Sequence, residues 1–206
     1  MNTVVFATNN QNKVREVSEI LKGCPFEIVS LREMGIDIDV PETGTTYAEN
    51  AYQKAKAVFD IVKDKIVIAD DSGFSVDALN GEPGIYSARY LGEEVPYSEK
   101  IKDILRRMKD IPDEKRNAQF NCAVCALIPE GMVSSYGIEI TKLVVVEGFV
   151  TREPKGDNGF AFDPIFYYPP FGCTTAEMTS EQKNEISHRG RAMRLIRDEL
   201  LSLFKI

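Results

Sequence analysis

The sequence predicts an α/β fold: a mixed central sheet flanked by helices, with a β-rich sub-lobe. Three observations carry that expectation. Strand-like and helix-like segments alternate through the first half of the chain, as in α/β domains. Strand-like segments then cluster between residues 118 and 150. Hydrophobic residues make up 43% and charged residues 28% of 206 positions, enough for one substantial domain or two small lobes sharing a core.

Each element has its own local reason. Residues 3–8 are an apolar strand that runs into the polar turn Asn9-Asn10-Gln11-Asn12. Residues 13–21 place Val14, Val17, Ile20 and Leu21 on one helical face, and Gly23 can end that helix. Residues 26–30 read as a second strand and 37–46 as a polar, irregular stretch. Residues 47–62 are a helix with the apolar stripe Ala48, Ala51, Ala55, Val58, Phe59 and Val62. Thr46 and Glu49 have capping-box spacing at its start. Ile66-Val67-Ile68-Ala69 is too short for an ordinary helix and reads as a buried strand. The quartet Asp70-Asp71-Ser72-Gly73 then reads as a turn at the strand's mouth, marked by Gly73. Residues 74–79 form a short strand closed by Gly81-Glu82-Pro83-Gly84. Residues 98–108 are an amphipathic helix through Ile101, Ile104, Leu105 and Met108. Three β-rich stretches follow at 118–128, 133–141 and 143–150, the first two joined by a Pro129-Glu130-Gly131 hairpin turn. A glycine- and aromatic-rich loop spans 155–172, and a helix over 188–203 closes the chain.

The net charge of −7 argues against nucleic acid as a partner, because duplex binders carry a basic face. No apolar run approaches membrane-spanning length, and no basic segment followed by a long apolar one opens the chain. The expectation is a cytoplasmic protein without a membrane partner. Cys122 and Cys125 have C-x-x-C spacing, but they sit in a strand-like run where residues three apart face opposite ways. Buried thiols are expected there, not metal or redox chemistry.

Five groups of residues could carry chemistry. Adjacent carboxylates at Asp70 and Asp71 raise each other's pKa unless a cation, a donor or water relieves them, although Asp and Ser are also ordinary turn residues. Thr8, Asn9, Asn10 and Asn12 lie at a helix start with Lys13 in the first turn. The helix dipole disfavours a lysine there, and a bound anion would explain it; a plain Asn cap is the simpler alternative. Glu42 lies in an irregular loop beside Gly44 with no capping role, and Lys54 lies near the apolar stripe with a stem long enough to pack while its amine reaches a pocket. Phe160 and Phe162 would face opposite sides of an extended segment, so one could pack and the other stack on a base. Lys183, His188, Arg189 and Arg191 cluster donors near a helix start in an acidic chain. A single histidine excludes triads or zinc sites that need several.

Taken in order, these residues resemble one family. Thr8-Asn9-Asn10 with Lys13, Glu42-Thr43-Gly44 with Glu49-Asn50-Ala51 and Lys54-Ala55, Asp70-Asp71-Ser72-Gly73, Pro83-Gly84-Ile85-Tyr86-Ser87-Ala88-Arg89-Tyr90, Gly159-Phe160 with Asp163-Pro164-Ile165-Phe166, and Lys183-Asn184 with Ser187-His188-Arg189 all match. The pattern is similar to the pyrophosphatases of non-standard purine nucleoside triphosphates, the inosine triphosphatase or Ham1-like family. One departure stands out: Ala161-Phe162 lies where that family usually has glycine and then an aromatic. The resemblance implies two lobes around a nucleotide-binding cleft, with residues 1–206 as a single two-lobed domain, usually in a homodimer. It implies Mg²⁺-dependent hydrolysis of ITP, dITP and XTP to the monophosphate and pyrophosphate, which keeps deaminated purines out of the nucleotide pool. By the same resemblance Glu42 and Asp71 hold the metal and Asp71 is the general base. Thr8, Asn9, Asn10, Gln11, Asn12, Lys13 and Lys54 line the substrate, with Asn10, Lys13 and Lys54 on the phosphates. Phe160 stacks on the base with Ala161 and Phe162 beside it, Asp163, His188 and Arg189 read the base edge, and Ser72 and Lys183 complete the pocket. A pyrimidine-directed pyrophosphatase and a nucleotide sensor without turnover are the competing expectations.

Overall fold

The structure is a computed structural model that describes residues 2–205. Its strands are β1 Asn2–Phe6, β2 Phe26–Ser30, β3 Ile66–Val76, β4 Pro83–Gly84, β5 Asn117–Ile128, β6 Ile138–Val150, β7 Phe166–Tyr168 and β8 Cys173–Thr174. Its α-helices are α1 Gln11–Ile20, α2 Tyr47–Val62, α3 Tyr97–Arg107, α4 Ser180–Ile186 and α5 His188–Phe204. The strands form one sheet in the order β2-β1-β3-β5-β6-β7-β8, with β4 added on β3. β1 runs parallel to both β2 and β3, with Val4 opposite Ile28 on one side and Ile66 on the other. β6, β7 and β8 pair antiparallel, so the sheet is mixed, as expected.

The chain packs as two compact units. One runs to Asp71 and adds Cys122–Val144 and the segment from Arg189 onward; the other is Ser72–Asn121 with Val145–His188. In the first, strand alternation sorts the core into two layers. Val4, Phe6, Ile66, Ile68, Cys122 and Val124 pack with Val17 and Leu21 of α1 and Met193, Ile196 and Leu200 of α5. Val5, Ala7, Val67, Ala69, Ala123 and Cys125 pack with Ala51, Ala55 and Val58 of α2. Cys122 and Cys125 thus belong to different layers, and both are free thiols. In the second unit the core is aromatic. Phe74 stacks on Phe162 at 5.0 Å, and Phe166 meets Phe120 edge-on at 4.6 Å. Buried Arg116 donates to the carbonyls of Met108, Val150 and Thr151, which ties the end of α3 to the end of β6.

Six local expectations change. No turn follows Ala69: β3 continues through Asp70, Asp71, Ser72 and Gly73 to Val76, and residues 77–79 are a 3-10 turn rather than strand. The two β stretches expected at 133–141 and 143–150 are one strand, β6, and the tight hairpin at 129–131 is a wider loop over 129–137. The first helix begins at Gln11, two residues earlier than its apolar periodicity shows, because Asn10 caps it. Helix α4 was not expected, although Thr179 and Gln182 form a capping box that announces it.

Candidate active site

Because β3 does not turn, Asp70 and Asp71 leave it on opposite faces. Asp70 shares the parity of Ile66 and Ile68 and points toward α1 and α5. It accepts from Lys13 Nζ at 3.1 Å and from Arg189 Nε at 3.1 Å. Arg189 in turn donates to Glu16 of α1. Asp71 shares the parity of Val67 and Ala69 and points toward α2. Its Oδ1 accepts from Lys54 Nζ at 3.1 Å and its Oδ2 from Asn50 Nδ2 at 3.1 Å. Lys54 Nζ also donates to Glu42 Oε1 at 2.8 Å. Both aspartates are buried, so the solvated-turn alternative is overturned: the carboxylates are strand residues matched by buried Arg189 and by the part-buried Lys13 and Lys54.

Burial and charge push the two acids apart. Burial would raise the Asp70 carboxyl, but Lys13, Arg189 and Lys54 outweigh it and hold Asp70 well below the usual carboxylate range. For Asp71 burial is again the largest influence; Lys54 opposes it, Glu42 adds to it, and the net direction is upward. The Lys54 ammonium loses hydration by burial, yet Asp71, Asp70 and Glu42 together raise its pKa. Lys13 is lowered, chiefly by burial and only partly compensated by Asp70. A lysine in the first turn of α1 is therefore explained by Asp70, and a bound anion is not needed to account for it.

The loops hold these groups by short local bonds. Asn10 Oδ1 caps α1 by accepting from the amides of Asn12 and Lys13. Thr8 Oγ1 accepts from the Asn10 amide, Asn9 Nδ2 donates to the Ile38 carbonyl, and Gln11 Nε2 donates to the Asn9 carbonyl. The 42–46 loop is pinned on α2. Gln53 accepts from the Thr43 amide, Asn50 Oδ1 from the Gly44 amide, and Glu49 closes the Thr46 capping box. A Cβ on Gly44 would lie 2.7 Å from Asn50 Oδ1, so the close approach requires glycine.

The second unit assembles a different group. Asp163 Oδ2 accepts from the Phe160 amide at 2.7 Å and from Lys183 Nζ at 2.6 Å, and Asp163 Oδ1 accepts from Thr175 Oγ1 at 2.8 Å. Lys183 Nζ sits 4.6 Å from the centre of the Phe160 ring. Phe162 is fully buried against Phe74, while Phe160 is half-buried. His188 stacks on Phe120 at 4.7 Å, and Ser72 is a half-buried residue of β3. Asp163 turns its carboxylate inward on its own loop, and Arg189 engages Asp70 and Glu16.

Sequence reasoning missed Asn50, Glu16 and Thr175. Asn50 had a legible signal: it lies four residues before Lys54, one turn apart on the same helical face. Glu16 and Thr175 had none, since their partners lie 173 and 12 residues away. Among the described residues no group of three or more His, Cys, Asp or Glu side chains gathers to cage a metal. Glu42 and Asp71 do converge on one cationic point, the Lys54 ammonium, and two carboxylates suit a Mg²⁺ ion that also binds phosphate and water. No described helix is long and apolar enough to cross a membrane.

Comparison with known proteins agrees along the whole chain. The Ham1 family pattern matches residues 4–199. A protein named dITP/XTP pyrophosphatase from Photorhabdus laumondii is 44% identical over 97% of this chain and 98% of its own. One of the same name from Clostridium perfringens is 42% identical over the full length of both. The solved structure of a HAM1 protein from Coxiella burnetii superposes with a TM-score of 0.85 at 34% identity, covering 98% of this chain and all of that one.

Proposed function

This chain belongs to the Ham1 family, and from that premise we propose that it hydrolyses ITP, dITP and XTP to the monophosphate and pyrophosphate. One observation carries the reading: buried Asp71, paired with Glu42 on a single ammonium, stands beside a second buried acid that is separately neutralised. That arrangement leaves one carboxylate with a raised pKa next to concentrated positive charge, which suits a general base working on a polyanion.

The first unit supplies the groups for the triphosphate. Release of pyrophosphate means that water attacks the α-phosphorus. A P–O bond forms to the water oxygen, the bond to the bridging oxygen breaks, and pyrophosphate leaves with that electron pair. Asp71 takes the water proton. Lys13 and Lys54 hold the phosphate chain and offset charge as it develops, with Asn10 and its neighbours Thr8, Asn9, Gln11 and Asn12 at the α1 start. Glu42 and Asp71 would hold Mg²⁺, which when bound would acidify water and screen the phosphate oxygens. The second unit supplies the groups for the base. Phe160 offers a stacking face with the Lys183 ammonium over its ring, and by the family resemblance His188, Arg189 and Asp163 read the base edge while Ser72 completes the pocket. A 6-oxo group is an acceptor where adenine has a donor, so a positioned donor discriminates against ATP. The family resemblance adds a single two-lobed domain, a homodimer and a cytoplasmic setting; light scattering on the purified protein checks the dimer.

The test is a substrate panel with Mg²⁺ and separated products. ITP, dITP and XTP should turn over at least about a hundredfold faster than ATP and dTTP. Equal rates on ATP and ITP would sink the base selectivity. Turnover of dTTP alone would favour the pyrimidine-directed alternative, and binding without product would favour a sensor.

A further inference from the structure

We propose that Thr175 is a positioning residue for the base-stacking loop, acting through Asp163 to fix Phe160. The proposal rests on the reading of Phe160 as the stacking aromatic. The loop around Phe160 is not relaxed. Gly159 has φ +72° and Ala161 has φ +56°, and the left-handed region disfavours alanine by about 1–2 kcal/mol. Something must hold residue 160 beside the disfavoured Ala161 conformation. That something is the Asp163 carboxylate, whose Oδ2 accepts from the Phe160 amide and from Lys183 Nζ. A Cβ on Gly159 would fall 2.3 Å from the same oxygen.

With both of these donors on Oδ2, that oxygen is pinned, but the carboxylate plane can still swing about it unless Oδ1 is held as well. Thr175 Oγ1 holds it, donating to Oδ1 at 2.8 Å. Thr175 and Asp163 are each 2% exposed, so water does not compete for this bond. Thr175 is itself fixed, its amide donating to the Phe166 carbonyl. Its neighbours brace the same loop: Thr174 Oγ1 donates to the Lys155 carbonyl, and Asn158 bonds the carbonyls of Ala176 and Met178 through its amide and its side chain. The 174–178 segment therefore acts as a rail against which the 155–163 loop is set. Pre-setting the loop spares the substrate the cost of ordering it.

The experiment compares Thr175→Val, which keeps the shape and removes the donor, with Thr175→Ser, which keeps the donor. The kinetic readout is KM against kcat for ITP. Thr175→Val should raise KM about tenfold with kcat within about twofold, and Thr175→Ser should restore KM to within about twofold. The second readout needs no nucleotide. The chain contains no tryptophan, so Phe160→Trp places a sole tryptophan on the loop, excited selectively beyond the tyrosine absorption band. Acrylamide quenching of that tryptophan should rise at least about twofold when Thr175→Val is added and stay unchanged with Thr175→Ser. Unchanged quenching in the Thr175→Val background, or equal effects of Val and Ser, overturns the proposal. If the parent protein does not hydrolyse ITP, the functional reading fails and the quenching comparison alone decides the role of Thr175.

Discussion

Within β3 the side chains of Asp70 and Asp71 leave the sheet in opposite directions, so each meets its own cations. Asp70 is held between Lys13 and Arg189, with no exposed side-chain surface. Asp70→Asn would leave buried Arg189 and part-buried Lys13 short of a counter-charge, and urea unfolding should show a loss of about 3–5 kcal/mol. Asp71→Asn should lose less than half of that, because Lys54 keeps Glu42, while turnover falls below detection and nucleotide binding stays measurable. Near-normal turnover in Asp71→Asn would remove it from the base role. The cysteines give a separate check on burial. Burial pushes the Cys122 thiol up to about 12 and the Cys125 thiol to about 11. Both thiols are shut from solvent and held in the protonated form, so iodoacetamide should leave Cys122 and Cys125 unmodified in the native protein and label both in guanidinium. Native labelling of either would contradict the two-layer core.

At the scale of elements, α2 works as an anchor for the acidic loop before it. Three of its residues, Glu49, Asn50 and Gln53, bond the 43–46 backbone, and the fourth polar position, Lys54, reaches past them to Glu42. Glu42 is therefore placed by a helix rather than by its own irregular loop. Gly44 is where that fit is tightest. Gly44→Ala should cost about 1–3 kcal/mol and reduce turnover, because the new methyl would meet Asn50 Oδ1 and Glu49 Cβ at 2.7 Å. Gly137→Ala, whose methyl would meet nothing closer than 3.4 Å, is the control. Thermal unfolding and ITP turnover of both variants check this, and equal behaviour would refute the anchor.

At the scale of the whole molecule, most of the architecture was legible and the misreadings share a cause. Apolar periodicity found α1, α2, α3, α5 and the apolar half of β3, because those segments bury a face that local spacing displays. It stopped β3 at Ala69, because two carboxylates and a glycine read as a turn when their partners are unknown. Those partners are Lys13, Lys54 and Arg189, the last of them 119 residues away from Asp70. The residue types at the site were readable, since the chemistry of a polyanion needs acids and lysines together. Their pairings were not, since pairing is a tertiary property. The central claim is attack at the α-phosphorus, and one measurement addresses it directly: ITP hydrolysed in ¹⁸O-labelled water, with both products analysed by mass spectrometry. The account predicts one ¹⁸O in inosine monophosphate and none in pyrophosphate. Label in pyrophosphate, or release of orthophosphate with a diphosphate, would contradict it.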